Sequence, residues 1–178
     1  MNYFKIDDYD IANGPGVRTT VWVTGCRLHC PGCHNPQSWD FYAGLPWNDS
    51  SREELRKALS KPEIQGITLT GGHPLEYENL SGVLNIIGIV RNEFPEKDIW
   101  LYTGYNLEIK DFDTTVYADK WDNDLLKRII LSRCDVVVDG PYIEEEKDIT
   151  LAWRGSRNQR VIDVKKTIEK GEIVLFCE

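Results

Sequence analysis

The sequence has no long hydrophobic run. Its longest near-apolar stretch, residues 83–90, is broken by Asn85 and falls far short of the ~20 residues a membrane-spanning helix needs. No membrane partner is expected. The opening residues, MNYFKIDDYD, carry three aspartates and no apolar core, unlike a secretory leader, so a cytoplasmic location is expected. Excess positive charge is missing too. Twenty-one Lys and Arg stand against 29 Asp and Glu, a formal charge of −8, whereas proteins that hold phosphate backbones are usually basic. No nucleic-acid partner is expected. There is no linker or low-complexity tract, and no pair of carboxylates suited to acid–base chemistry. The polar stretch 110–124 and the acidic run 144–148 read as surface loops. The 178 residues make one domain, 1–178, with 41% hydrophobic residues to build its core. They are too few for a typical closed eight-fold βα barrel, which takes about 250.

What is present begins with four short β-branched runs, each followed by a glycine-bearing turn. Residues 21–24 precede Gly25, 67–70 precede Gly71 and Gly72, 99–102 precede Thr103 and Gly104, and 136–139 precede Gly140 and Pro141. Runs of this kind suit parallel strands buried on both faces. Helical patterns lie between them. Ser51 and Glu54 fit a capping box ahead of Leu55, Ala58 and Leu59, with Pro62 as a stop. Leu80, Val83, Leu84, Ile87 and Val90 form one helical face that ends near Pro95. Asp122 can cap a third helix carrying Leu125, Leu126, Ile129 and Ile130, and residues 172–176 read as a final strand. The repeated strand–turn–helix order predicts an α/β fold with all four glycine turns at the carboxyl edge of the sheet, where such folds bind ligands.

On the first of these turns lie Cys26, Cys30 and Cys33, a C-x3-C-x2-C spacing. Three clustered thiols point to zinc, Cu(I) or iron–sulfur. Either His29 or His34 would complete a Cys3His zinc set. Three cysteines without a fourth suit a [4Fe–4S] cluster with one iron left open, since electron-transfer clusters use four. Cys134, expected at the opposite edge of the sheet, and Cys177, the penultimate residue, read as structural.

The spacing on a first βα turn resembles the radical S-adenosylmethionine (SAM) superfamily, and ITLTGGHPL at 67–75 resembles its second-strand Gly-Gly segment. NGPGVR (13–18), CPGCHN (30–35), DIWLYTGY (98–105), DGPY (139–142) and WRGSRNQR (153–160) resemble more narrowly the activases of anaerobic ribonucleoside-triphosphate reductase. The resemblance implies a partial, open βα barrel of mostly parallel strands. It also implies a [4Fe–4S] cluster on Cys26, Cys30 and Cys33 whose open iron takes the amino and carboxylate groups of SAM. Reductive cleavage of SAM would then yield a radical that removes hydrogen from a glycine of the partner reductase. A low-potential donor such as flavodoxin would supply the electron. Gly32, Cys33 and His34 would lie beside SAM on one side. Gly71, Gly72, His73 and Pro74 would line its methionine end through backbone carbonyls and amides. His73 departs from the acidic residue usual there, and a purely backbone contact would tolerate His73→Asp. Gly32 stands where an aromatic is common in the superfamily.

Outside the cluster loop, Arg18 is expected near the mouth of the site. Arg154, Arg157 and Arg160 are candidate contacts for the partner or SAM. Trp39, Trp47 and Trp153 read either as exposed docking aids or as core. Activation of a different glycyl-radical enzyme, radical SAM chemistry on a small molecule, and a zinc-binding adaptor without catalysis are the alternatives. The cysteines are separable by experiment. Replacing Cys26, Cys30 or Cys33 by Ala should strip iron from anaerobically reconstituted protein, whereas Cys134→Ala and Cys177→Ala should retain it. Iron loss in folded Cys134→Ala protein would mean that the ligand set is incomplete.

Overall fold

Side chains alternate across a strand, and in the central strands this alternation separates an aliphatic face from one rich in threonine and aromatic residues. The computed structural model describes residues 1–114 and 122–177. Strands β2 (Arg18–Val23), β4 (Gly66–Gly71), β5 (Asp98–Tyr102) and β6 (Val136–Asp139) are parallel neighbours. Their register sets Val21 beside Leu69, Leu69 beside Leu101 and Leu101 beside Val137. This row has no solvent exposure. It packs with Leu55 and Leu59 of helix α1 (Asp49–Leu59), Val83, Ile87 and Val90 of α2 (Leu80–Glu93), and Ile130 and Leu131 of α3 (Asn123–Ser132). Full burial of each such side chain contributes about 1.5–3 kcal/mol. The other face carries Trp100, Val136, Val138 and Val161, against which Trp153 and Cys177 pack.

Antiparallel strands bracket the parallel core. On one side β1 (Asn2–Asp10) pairs with β2, and β3 (Leu45–Pro46) pairs with β1. On the other, β7 (Arg160–Asp163) pairs with β6, and β8 (Leu175–Cys177) pairs with β7. The eight-stranded sheet has the order β3-β1-β2-β4-β5-β6-β7-β8 and is not closed. A short helix α4 (Val164–Lys170) connects the last two strands, and Gly171 ends it in the left-handed conformation.

The four glycine-turn strands stand where the sequence predicts them. Other details differ. The first helix is capped by Asn48, whose side chain accepts from the Ser50 and Ser51 amides, while the Ser51 hydroxyl accepts from the Asn48 amide. Ser51 is therefore the third helical residue rather than the cap. Asp122 caps α3 as expected, accepting from Leu125 N. The last strand is shorter and later than residues 172–176. Of the polar stretch 110–124, residues 115–121 lie outside the described residues. Among the described residues no helix is long and apolar enough to cross a membrane.

Arg18 corrects an expectation. It begins β2, so about five residues, roughly 17 Å of strand, separate it from the strand's carboxyl end. Its side chain is fully buried and lies over the Trp100 ring, 5.4 Å from the ring centroid. It donates to Thr68 Oγ1 and Ile67 O, both at 2.9 Å, to Pro15 O at 3.2 Å, and to the Asp98 carboxylate. Arg18 thus ties the 13–16 loop, β4 and β5 together beneath the aromatic face, itself closed off from solvent. Removing the buried guanidinium leaves Thr68, Ile67 O and the partly exposed Asp98 without their donor. Arg18→Ala should lower stability by about 2–4 kcal/mol in urea unfolding; a loss below about 1 kcal/mol would refute this role.

Candidate functional site

Each parallel strand ends at one edge of the sheet, and the chain after β2 folds there into a loop held by its own backbone. Gly25 N donates to Ser38 O at 2.7 Å and Cys26 N to Trp39 O at 3.1 Å, closing the segment that carries all three cysteines. Within it Cys33 N donates to Cys30 O at 3.1 Å, and Asn35 N reaches Cys33 Sγ at 3.4 Å. Cys26 is buried, Cys30 and Cys33 are half-buried, and burial pushes the Cys26 thiol upward.

The turn after β4 seats this loop. Gly72 N donates to Val23 O at 2.7 Å and His73 N to Gly25 O at 2.9 Å. A Cβ on Gly72 would lie 2.8 Å from Gly25 O and 3.0 Å from Ser38 O, and Gly71 has φ +103°. Both positions require glycine because two backbones meet there. The amides of Gly72 and His73 are therefore committed to the cysteine loop. This narrows the expectation that backbone amides of this turn face a ligand.

Glu76 completes the attachment, and the sequence reading missed it. Its buried carboxylate accepts from Arg27 N at 2.9 Å and Arg27 Nη1 at 2.7 Å, inside the cysteine loop. Arg27 also pairs with Glu78 and lies over the Phe41 ring. Burial acts to raise the Glu76 carboxyl, but the His73 ring, whose Nδ1 lies 3.5 Å away, and the Arg27 donors prevail and hold it at about 2. The only sequence signal for this role was an acidic residue three positions after His73.

Cys26, Cys30 and Cys33 line one cavity of about 540 Å³ together with His34, Gly71, Gly72, His73, Gly104 and Gly140. Its aromatic wall includes Trp22, Trp39, Tyr102, Tyr142 and Trp153. Gly32, which is exposed, and Pro74, which is buried, are outside the lining. Arg154 lines the cavity, whereas Arg157 and Arg160 do not. Arg160 pairs with buried Asp139 and donates to Leu107 O at 2.7 Å, which makes it part of the scaffold. Arg157 is exposed and meets Asp148 at 3.1 Å. Cys134 is buried outside this cavity, with Sγ 3.2 Å from Ile130 O, and burial pushes its thiol upward. It borders a wider hollow of about 660 Å³, which contains none of the clustered thiols.

The histidines separate by environment. His29 is exposed and stacks on Trp39 at 4.4 Å. His34 packs near Tyr142 at 5.2 Å. His73 is buried, with Nε2 2.7 Å from Thr103 Oγ1 and its ring edge-on to Tyr105. An aspartate at position 73 would lose the imidazole contact to Thr103 and set a second carboxylate near Glu76, so the simple tolerance expected from a backbone-only contact does not follow. Trp39, Trp47 and Trp153 are half-buried, not exposed. Trp47 packs on Tyr3 and donates to Asn85, and Trp153 packs on Trp100.

Among the described residues, no group of three or more His, Cys, Asp or Glu side chains is arranged to hold one metal ion. An iron–sulfur cubane does not ask for convergence on one point, because each thiolate binds a different iron. Two cavity-lining donors, Trp22 Nε1 and Arg154 Nε, are buried without partners. Orphaned donors beside three thiols fit a cavity completed by a cluster and a polar ligand.

Residues 12–162 match the family model described as a 4Fe-4S single cluster domain. The chain is 41% identical over 161 residues to the anaerobic ribonucleoside-triphosphate reductase-activating protein of Pasteurella multocida, covering 89% of this chain and 95% of that protein. It is 40% identical over 161 residues to the protein of the same name from Enterobacteria phage T4, covering 90% and 93%. For the Escherichia coli K12 protein of that name the identity is 36% over 163 residues, covering 90% and 97%.

The Glu76 attachment has a definite pH signature. Its folded carboxyl lies below the usual value, so its stabilisation is complete above the unfolded carboxylate range and is lost as pH falls through about 2. In cluster-free protein, Glu76→Gln should be less stable than wild type at pH 6, and the gap should narrow between pH 4.5 and 2. Equal stability at pH 6 by urea unfolding would remove Glu76 as an anchor.

Proposed function

The chain belongs to the 4Fe-4S single cluster domain family, among the anaerobic ribonucleoside-triphosphate reductase-activating proteins, and on that footing we propose that it is a radical SAM activase acting on such a reductase. The observation that carries the reading is the placement of all three C-x3-C-x2-C thiols in one cavity, at the carboxyl ends of four parallel strands. We read residues 1–178 as a single domain and its open sheet as a partial βα barrel of radical SAM type.

In this reading Cys26, Cys30 and Cys33 would hold the [4Fe–4S] cluster, and the cavity beside them would take SAM. When bound, the cluster and SAM together would supply the one-electron chemistry that removes hydrogen from a glycine of the reductase. The protein's own part is placement. The Gly71–Gly72 turn, with the Gly72 and His73 amides committed to the cysteine loop, would offer carbonyls to the ammonium group of SAM. The wall of Trp22, Trp39, Tyr102, Tyr142 and Trp153 excludes water from a reactive species. The partner glycine must reach a near-attack distance of about 3–3.5 Å, which an open-sided cavity permits. Arg157, exposed beside the strand-end loops, is the one member of the arginine trio suited to docking. A low-potential donor of the flavodoxin kind would supply the electron.

Anaerobically reconstituted protein should be brown, hold about four irons per chain, and form 5′-deoxyadenosine from SAM under a strong reductant. With the reductase present, electron paramagnetic resonance should show a glycyl radical. Colourless protein with stoichiometric zinc that cannot take up iron and sulfide would defeat the cluster assignment. Iron-loaded protein that cleaves SAM but leaves the reductase without a radical would defeat the partner assignment.

A further inference from the structure

Among the described residues that line the cavity, Arg154 is the sole Lys, Arg, Asp or Glu. It makes no hydrogen bond or ion pair with any described residue, and its Nε is buried without a partner. Its neighbours in the same segment are engaged, Arg157 with Asp148 and Arg160 with Asp139. A guanidinium carries five donors and a permanent charge, so leaving it half-buried and unpaired is costly.

The surrounding chain holds this residue in place. Trp153 has φ +57°, a left-handed backbone conformation that costs a non-glycine residue about 1–3 kcal/mol. The Tyr102 hydroxyl donates to Trp153 O at 2.7 Å, and the Trp153 ring packs edge-on to Trp100 at 5.2 Å. On the other side, Gln159 Oε1 accepts from Gly155 N and Ser156 N at 2.9 and 3.2 Å. Gln159 Nε2 donates to Gly140 O at 3.1 Å and Asn158 Nδ2 to Pro141 O at 2.7 Å. The segment is therefore pinned to the strand ends of β5 and β6, which sets the backbone on either side of Arg154 before any ligand arrives.

Resting on the radical SAM reading, we propose that Arg154 binds the α-carboxylate of SAM. SAM carries a sulfonium, an ammonium and a single anionic group. A guanidinium repels the first two, which leaves the carboxylate as the group it accepts. Arginine's planar fork suits that group, with two parallel charge-assisted hydrogen bonds. The residue would then read the amino-acid end of the ligand and discriminate against analogues that lack the carboxylate.

The test is anaerobic equilibrium dialysis of the reconstituted full chain with SAM and with decarboxylated SAM. Arg154→Ala should raise the Kd for SAM about 10–100-fold, with Arg154→Lys between it and wild type. The Kd for decarboxylated SAM should be the same in wild type and Arg154→Ala, with iron content unchanged in both. Equal weakening of both ligands would overturn the proposal, since the effect would not run through the carboxylate. Iron loss with unchanged SAM affinity would overturn it in favour of a role toward the cluster. Normal SAM affinity with a reduced glycyl-radical yield on the reductase would overturn it in favour of docking. If wild type itself binds no SAM, the radical SAM reading fails. If wild type binds SAM and Arg154→Ala binds it equally well, only the carboxylate assignment fails.

Discussion

Two turns that meet backbone to backbone govern this molecule. The cysteine loop after β2 and the glycine turn after β4 are joined by Gly72 N to Val23 O and His73 N to Gly25 O, with no side chain between them at Gly72. The Glu76 carboxylate then reaches across to the Arg27 amide and guanidinium. The thiols consequently sit on a loop that is fixed from outside. Their spacing in the chain becomes a spacing in the cavity only because β4 is beside β2.

The parallel core makes that adjacency general. Register across β2, β4, β5 and β6 brings every strand-end turn to one edge, and with Ala12 and Asn13 of the loop before β2, groups from residues 12 to 159 share a single cavity. The helices cover the aliphatic face and leave the threonine and aromatic face to form the wall of the site. An acidic protein has in this way made a cavity in which the described lining residues include one permanent positive charge and no carboxylate. Its acidic residues act elsewhere. Asp98 and Asp139 pair with Arg18 and Arg160 in the scaffold, and Glu76 anchors the loop.

The sequence disclosed what local pattern encodes. The four β-branched runs were readable because each is short, buried on both faces and followed by a glycine-bearing turn, and α2 because its aliphatic residues keep one helical face. The cysteines were readable by proximity alone. Strand β1 was not, since NYFKIDDYD is mostly polar and lies toward the sheet's margin with half-exposed residues. The Asn48 cap escaped notice because Ser51 and Glu54 fit the same local pattern three residues later. Arg18 looked like a site residue because its partners Thr68 and Asp98 are 50 and 80 residues away. The arginine trio looked like one patch for the same reason. Asp148, Asp139 and the cavity divide it among three environments that no local spacing records.

The seating of the cysteine loop on the β4 turn also carries a temporal consequence. The antiparallel β1–β2 pair is close in sequence and can form early, whereas the β2–β4 pair must wait for some fifty more residues and the intervening helix. Until then Gly25 O and the Arg27 amide lack their partners on the later segment. A nascent chain ending before residue 76 holds three cysteines in a row but no finished place for them. Iron and sulfide delivered at that stage would meet an unstructured thiol segment, so assembly of the inorganic centre belongs after β4 has docked, late in the life of the folding chain.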